Sequence, residues 1–124
     1  MELSLDVRRF ILVGVPSVPY LEALLLLRTD PGTAWDSRRV AQRLFIGERQ
    51  AEELLQALVA GDIAEARSPA QYFYRPGSAE MSSLLDKLAA VYAADLVQVT
   101  KLIHSRADKQ AQQFADAFRL RRDS

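Results

Sequence analysis

The apolar residues of this chain recur at helical spacing in short blocks, and each block ends at a glycine, a proline or a capping residue. In the clearest block, Glu48 to Ala60, the apolar positions keep i, i+3, i+4, i+7 spacing: Ala51, Leu54, Leu55 and Leu58. Gly61 follows as the expected C-terminal cap. A length of 124 residues with 49% hydrophobic residues fits one small globular domain. The pattern therefore predicts a mainly helical fold built from short elements.

Composition excludes several classes of function. Sixteen basic and sixteen acidic residues give a formal net charge of zero, so no overall field favours nucleic acid or membranes. The absence of cysteine removes disulfides, thiol catalysis and zinc fingers, and His104 alone is a poor basis for a zinc or catalytic site. No nucleophile elbow, phosphate loop or dinucleotide fingerprint is present. We therefore expect no enzymatic activity, no metal and no cofactor.

The weakly charged stretch from Phe10 to Leu27 raises the question of export or membrane insertion. Arg8 and Arg9 before it faintly resemble a twin-arginine signal. Pro16, Pro19 and Glu22 interrupt the stretch, and no small-residue cleavage site follows. The sequence therefore predicts a cytoplasmic protein that does not bind membranes.

Flanking signals divide the rest of the chain into further elements. A short helix is predicted from Leu5 to Val13, and a second from Tyr20 to Arg28 with Pro19 as its first residue, apolar on more than one side. The predicted elements that follow are an extended piece at Thr33–Trp35, a helix capped by Asp36 or Ser37 and ending near Leu44, the helix Glu48–Ala60, and a hairpin of Ile63–Arg67 and Tyr72–Arg75.

After the hairpin, an apolar stripe predicts one long helix from Ala79 to His104. A break is predicted at Ser105–Asp108, and a short amphipathic helix, Gln110–Phe118, precedes a basic tail.

The order helix, short strand, helix, turn, helix, hairpin resembles the winged helix-turn-helix domain of bacterial transcription regulators, over roughly Pro19 to Pro76. Ala41 is the small residue that the family needs where its two helices cross closely. Other positions that fit the family's pattern are Val40, Leu44, Ile46, Ala51, Leu54, Gly61 and the triplet Tyr72-Phe73-Tyr74. The resemblance implies a mainly α fold with a small β-hairpin: an N-terminal helical segment (1–17), a winged domain (18–77), and a C-terminal dimerisation arm (78–124).

Two features depart from the family. Phe45 occupies the turn position where glycine is usual because the backbone there often needs a positive φ, so either another turn geometry or strain is expected. The second departure is charge: residues 36–80 hold six basic and seven acidic residues, a net −1, whereas DNA-binding domains are usually basic. Three of the acids, Glu48, Glu52 and Glu53, lie on the helix that would read DNA.

The resemblance implies a dimeric transcription regulator that binds double-stranded DNA. Arg49 and Gln50 would read base edges, whereas Arg38, Arg39 and Arg67 would contact phosphates. The alternative is a winged-helix module that binds a regulatory protein and does not read DNA, which the acidic helix favours. A third alternative is a small-ligand sensor with a pocket between the long helix and the domain.

The apolar stripe of the C-terminal segment predicts a homodimer, because it is wider than one small domain is expected to cover. The alternative is that the long helix folds back over the domain together with the N-terminal helix. The predicted dimer or partner surface consists of Leu85, Leu88, Tyr92, Leu96, Val99, Ile103, Phe114 and Phe118.

Overall fold

The fold is mainly helical with one small antiparallel sheet. The computed structural model describes residues 3–123, and the side chains of residues 3–106 and 112–117. In chain order the elements are α1 (Leu5–Gly14), α2 (Val18–Thr29), α3 (Ser37–Leu44), α4 (Glu48–Ala60), β1 (Ala64–Arg67), β2 (Gln71–Tyr74), α5 (Ala79–Ala94) and α6 (Leu96–Asp123).

Side-chain caps start the helices where the sequence signals them. The Ser17 hydroxyl accepts a hydrogen bond from the Tyr20 amide at 3.2 Å and starts α2. The Asp36 carboxylate accepts one from the Arg39 amide at 2.8 Å and starts α3. Each cap satisfies a backbone donor that the first helical turn leaves without a partner. The predicted bounds of α3 and α4 are confirmed, and those of α1 and α2 are correct to within two residues.

Helix α2 lies at the centre of the molecule. It is buried on more than one side, as its run of leucines predicts, and it packs against α3, α4 and β2. The core is one continuous cluster, to which Val7 of α1, Leu24 of α2, Leu55 of α4, Leu85 of α5 and Ile103 of α6 all contribute. Within the described residues no single helix is long and apolar enough to cross a membrane, although α1 and α2 together reach that length and composition across a bend of 116°.

The sheet has two strands, and an isolated backbone bridge lies beside it. Strands β1 and β2 pair antiparallel with Ala64 opposite Tyr74 and Arg67 opposite Gln71, within one residue of the predicted bounds. Trp35 forms an isolated antiparallel bridge to Tyr72 through two backbone hydrogen bonds of 2.8 and 2.7 Å. The predicted extended piece before α3 therefore lies against the hairpin and fixes its position relative to the α3–α4 pair.

The prediction of one helix from Ala79 to His104 was wrong. Helix α5 ends at Ala94, and α6 runs without a break through the predicted interruption at residues 105–108. The Asp95 carboxylate accepts a hydrogen bond from the Gln98 amide at 3.1 Å, so Asp95 ends one helix and caps the next. Asp followed three residues later by Gln matches a capping-box pattern, and that was the signal in the sequence.

Candidate nucleic-acid interface

A tight left-handed turn joins α3 to α4. Phe45 has φ 57° and ψ 46°, so the strained alternative is the one that occurs. The Ile46 amide donates to the Ala41 carbonyl at 3.1 Å, which closes the end of α3 around this residue. The Phe45 side chain is 94% exposed and gains no packing that would offset the backbone cost. Phe45 therefore adopts a left-handed backbone conformation that glycine would adopt without strain.

Helix α4 divides into a buried face and an exposed face. Ala51, Leu55 and Leu58 are fully buried. Arg49 and Gln50, the predicted base-reading residues, are exposed in the first turn of the helix. The Arg49 guanidinium lies 3.7 Å from the Glu53 carboxylate in an exposed i, i+4 pair. Such a pair contributes about 0.5 kcal/mol or less, so Arg49 can exchange this partner at little cost.

The arginines of α3 are arranged around a buried tryptophan. Arg39 lies 5.0 Å from the ring centroid of Trp35 and donates to the Ala34 carbonyl at 3.1 Å. Arg43 lies 6.0 Å from the same ring. Sequence reasoning did not select Arg43, although its i+4 spacing from Arg39 places both on one face. Arg38 is exposed beside them, so three cations lie at the surface of α3.

In the hairpin, the Glu65 carboxylate binds Arg67, the residue that was predicted to contact a phosphate. Arg67 lies 3.1 Å and Arg75 3.2 Å from the same oxygen of Glu65. The hydrogen bond from Arg67, followed by the charges of both arginines, holds the pKa of Glu65 below its ordinary value. Arg67 also lies 4.5 Å from the ring centroid of Phe73. The hairpin therefore presents two cations that share one anion.

A hydrogen bond ties the hairpin to α4. The Tyr72 hydroxyl donates to Glu52 at 2.5 Å, and the Gln56 amide donates to the same oxygen at 3.1 Å. The hydrogen bond to Glu52, together with burial, raises the pKa of Tyr72 to about 12. Glu52 is therefore a structural acceptor. It differs from Glu48 and Glu53, which are exposed on the same helix.

The predicted dimer stripe is corrected by the structure. Leu85, Leu88, Val99 and Ile103 lie in the core of a single chain at 0–1% exposure, because α1, α5 and α6 pack against one another. They follow the alternative in which the C-terminal helices and the N-terminal helix cover the domain. Tyr92 is partly buried. The apolar side chains of this set that lie at the surface are Leu96 (53% exposed) and Phe114 (75% exposed), whereas the Phe118 side chain lies outside the described residues.

One cavity lies away from the α3–α4 pair. It is an open groove of about 1140 Å³ along the outer side of α1, with Leu84 of α5 at one wall. The suggested ligand pocket between the long helix and the domain does not correspond to this groove.

Comparison of the chain with protein-family models, with curated proteins and with solved structures returned no match. The function is therefore argued from the site geometry.

Proposed function

We propose that this chain is a DNA-binding transcription regulator of the winged helix-turn-helix class that acts as a homodimer. The observation that carries the proposal is the α3–turn–α4 unit followed by a hairpin that pairs with Trp35. Its first-turn residues on α4, Arg49 and Gln50, are exposed and free of packing. An α-helix with an exposed first turn is the element that such proteins insert into the major groove.

In the proposed complex, the role of each residue follows from its position and from the groups that its side chain can bind. Arg49 forms a bidentate contact with guanine and Gln50 with adenine, the pairings that match the donors and acceptors of those bases. Arg38 and Arg39 at the start of α3, and Arg67 in the hairpin, contact phosphates on either side. Trp35 supports this arrangement, because it forms a backbone bridge to Tyr72 of the hairpin and lies 5.0 Å from Arg39 of α3.

The negative charge of this surface is the main factor that opposes DNA binding. The segment 36–80 stays at net −1. Glu53 is paired with the cation Arg49, whereas Glu52 accepts hydrogen bonds from the neutral groups of Tyr72 and Gln56 and keeps its charge. Glu48 and Glu52 therefore both oppose a phosphate, and Glu48, which is exposed in the first turn of α4, opposes it most directly. At about 10 Å in water, one unit charge costs about 0.4 kcal/mol, roughly a twofold change in affinity. We therefore expect weak non-specific binding rather than none.

A second candidate function is a winged-helix module that binds a regulatory protein. Phe45 favours it, because a 94% exposed aromatic in a strained turn, next to the acidic start of α4, is a ready contact for a basic, apolar pocket. Both candidate functions use the first turn of α4. DNA would present negative charge to this surface, whereas the protein partner would present positive charge.

Selection of sheared genomic DNA by the purified protein at two salt concentrations tests the proposal. Enrichment of fragments that share a two-fold symmetric site is the expected result. Failure to enrich any fragment at low salt would refute DNA binding and leave the protein-binding module.

Single-residue variants then test which side chains contact the DNA. Arg49→Ala is expected to weaken binding to the selected site by about tenfold or more. Arg8→Ala, at an exposed arginine on α1, is the control and is expected to change little. Glu48→Gln is expected to raise non-specific affinity about twofold, and it leaves the Glu52–Tyr72 contact intact.

A further inference from the structure

Two arginines of α3 lie over the ring of one buried tryptophan, and we call these three residues the arginine–tryptophan cluster. The guanidinium carbons of Arg39 and Arg43 are 5.0 and 6.0 Å from the ring centroid of Trp35, which is 2% exposed. Both arginines are themselves exposed, and their i, i+4 spacing places them on one face of the helix. The cluster therefore presents two neighbouring cations at the surface of the chain.

The positive charge of the cluster is not neutralised among the described side chains. Helix α3 contains three arginines and no acidic residue. Arg39 and Arg43 form no ion pair with any described side chain, whereas the arginine of α4 and the two arginines at the hairpin each lie beside a glutamate. Like charges four residues apart on a helix repel each other. An anion that bound both guanidinium groups would offset this repulsion.

The tryptophan contributes the face of its ring rather than its hydrogen-bond donor. Trp35 Nε1 is buried, and no described residue accepts a hydrogen bond from it. A buried donor without a partner is unfavourable, and a phenylalanine at this position would avoid that cost. The indole ring, in turn, attracts a cation more strongly than a phenylalanine ring does. The presence of Trp35 therefore indicates a role in holding the two guanidinium groups.

The cluster lies within the surface that is proposed to bind DNA. Trp35 forms backbone hydrogen bonds of 2.8 and 2.7 Å with Tyr72 of the hairpin, and α3 packs against α4. The hydrogen bond from Arg39 to the Ala34 carbonyl uses one of the five N–H donors of its guanidinium group. A guanidinium group binds phosphate well because its planar set of donors matches two phosphate oxygens. A phosphate of the DNA backbone is therefore the anion that this cluster fits.

We propose that Arg39 and Arg43 together bind one phosphate of double-stranded DNA, with Trp35 as the positioning residue that holds both guanidinium groups. The inference rests on the proposed function and adds Arg43 and Trp35 to its DNA surface. The alternative is that the two arginine side chains serve only to cover the tryptophan ring. That alternative predicts that removing their charge leaves DNA affinity unchanged.

Arg43→Met separates the charge of the side chain from its packing. Methionine keeps an unbranched stem over the Trp35 ring and removes the cation, so the melting temperature is expected to stay close to that of the wild type. In anisotropy titrations with duplex DNA at several salt concentrations, Arg43→Met is expected to lower the affinity several-fold. The slope of log affinity against log salt is expected to fall by about 0.9, the contribution of one phosphate contact.

Arg8→Met is the matched control, because it makes the same change at an exposed arginine of α1 and is expected to keep the wild-type salt slope. If Arg43→Met binds DNA with the affinity and slope of the wild type, this inference is overturned and the proposed function stands. If the wild-type chain binds no DNA at low salt, both are overturned.

A double-mutant cycle tests the positioning role of Trp35. Trp35→Phe is expected to lower DNA affinity about twofold at an unchanged salt slope, because both cations remain but the ring attracts them less. In a chain that already carries Arg39→Met and Arg43→Met, Trp35→Phe is expected to have no further effect on affinity. Equal effects of Trp35→Phe in the two backgrounds would show that it acts only on the fold and would overturn the positioning role.

Trp35 is the single tryptophan of the chain, so its fluorescence reports directly on the cluster. Duplex DNA is expected to change the emission of the wild-type protein over the same concentration range as the anisotropy, and to change that of Arg43→Met much less. Inorganic pyrophosphate, as a source of free phosphate, is expected to act only at far higher concentrations. Unchanged emission while DNA binds would overturn the inference. A response to poly-glutamate with none to DNA would also overturn it, in favour of an acidic protein partner.

Discussion

Replacing Phe45 with glycine is expected to stabilise the fold. A left-handed backbone costs an L-residue about 1–2 kcal/mol, and glycine escapes this cost. The Phe45 side chain is 94% exposed, so its removal sacrifices almost no packing. Glycine gives back about 0.5–1 kcal/mol because its unfolded chain has more conformations to lose. The net gain is therefore about 0.5–1 kcal/mol.

The assay is thermal unfolding followed by circular dichroism, with Phe45→Ala as the matched control. Alanine removes the same ring but keeps the left-handed penalty, so it is expected to leave the midpoint nearly unchanged. For a chain of 124 residues, the gain from glycine corresponds to a rise of about 2–4 °C in the melting temperature. Equal melting temperatures for the two variants would refute the reasoning that the turn at Phe45 is strained.

Three further variants test separate parts of the structure. Because the pKa of Tyr72 is raised to about 12, the folded state holds this proton where the unfolded state releases it, so stability is expected to fall between pH about 10 and about 12. Tyr72→Phe is expected to lose that part of the slope in pH-dependent unfolding. Glu65→Gln releases Arg67 and Arg75 and is expected to raise DNA affinity and steepen its salt dependence in anisotropy titrations; unchanged binding would remove the hairpin from the DNA surface. Leu88→Ala is expected to lower stability by about 2–5 kcal/mol independently of protein concentration, since Leu88 is fully buried within one chain.

Local signals were enough to predict the elements around the candidate site. Asp36 caps α3 and Gly61 ends α4, and both effects act within a few residues of the chain. The break at Asp95 was missed because the apolar stripe continues through it from Leu88 to Val99, and periodicity alone reads such a stripe as one helix. The capping pattern from Asp95 to Gln98 carried the information that the stripe concealed.

Long-range packing decided what periodicity left open. The stripe of α5 and α6 is apolar whether it faces a partner chain or its own, and α1, from the other end of the sequence, buries it. The pairing of Glu65 with two arginines could not be predicted from the sequence for the same reason. Alternation places Glu65 and Arg67 on one face of a strand, but Arg75 joins them only through the register that sets Glu65 opposite Phe73.

The charge balance of the α3–α4 surface bears on the homodimer of the proposed function. A reading surface with net −1 gains little from counterion release, so a single copy is expected to hold non-specific DNA weakly. Affinity for a two-fold symmetric site then depends on base contacts made twice, and the second contact is favoured only when the two copies are joined. On this argument, any variant that dissociates the proposed dimer reduces binding to the full site far more than binding to a half-site. Because each half-site contact is weak by itself, such a dimer would bind a complete two-fold site much more tightly than a single half-site.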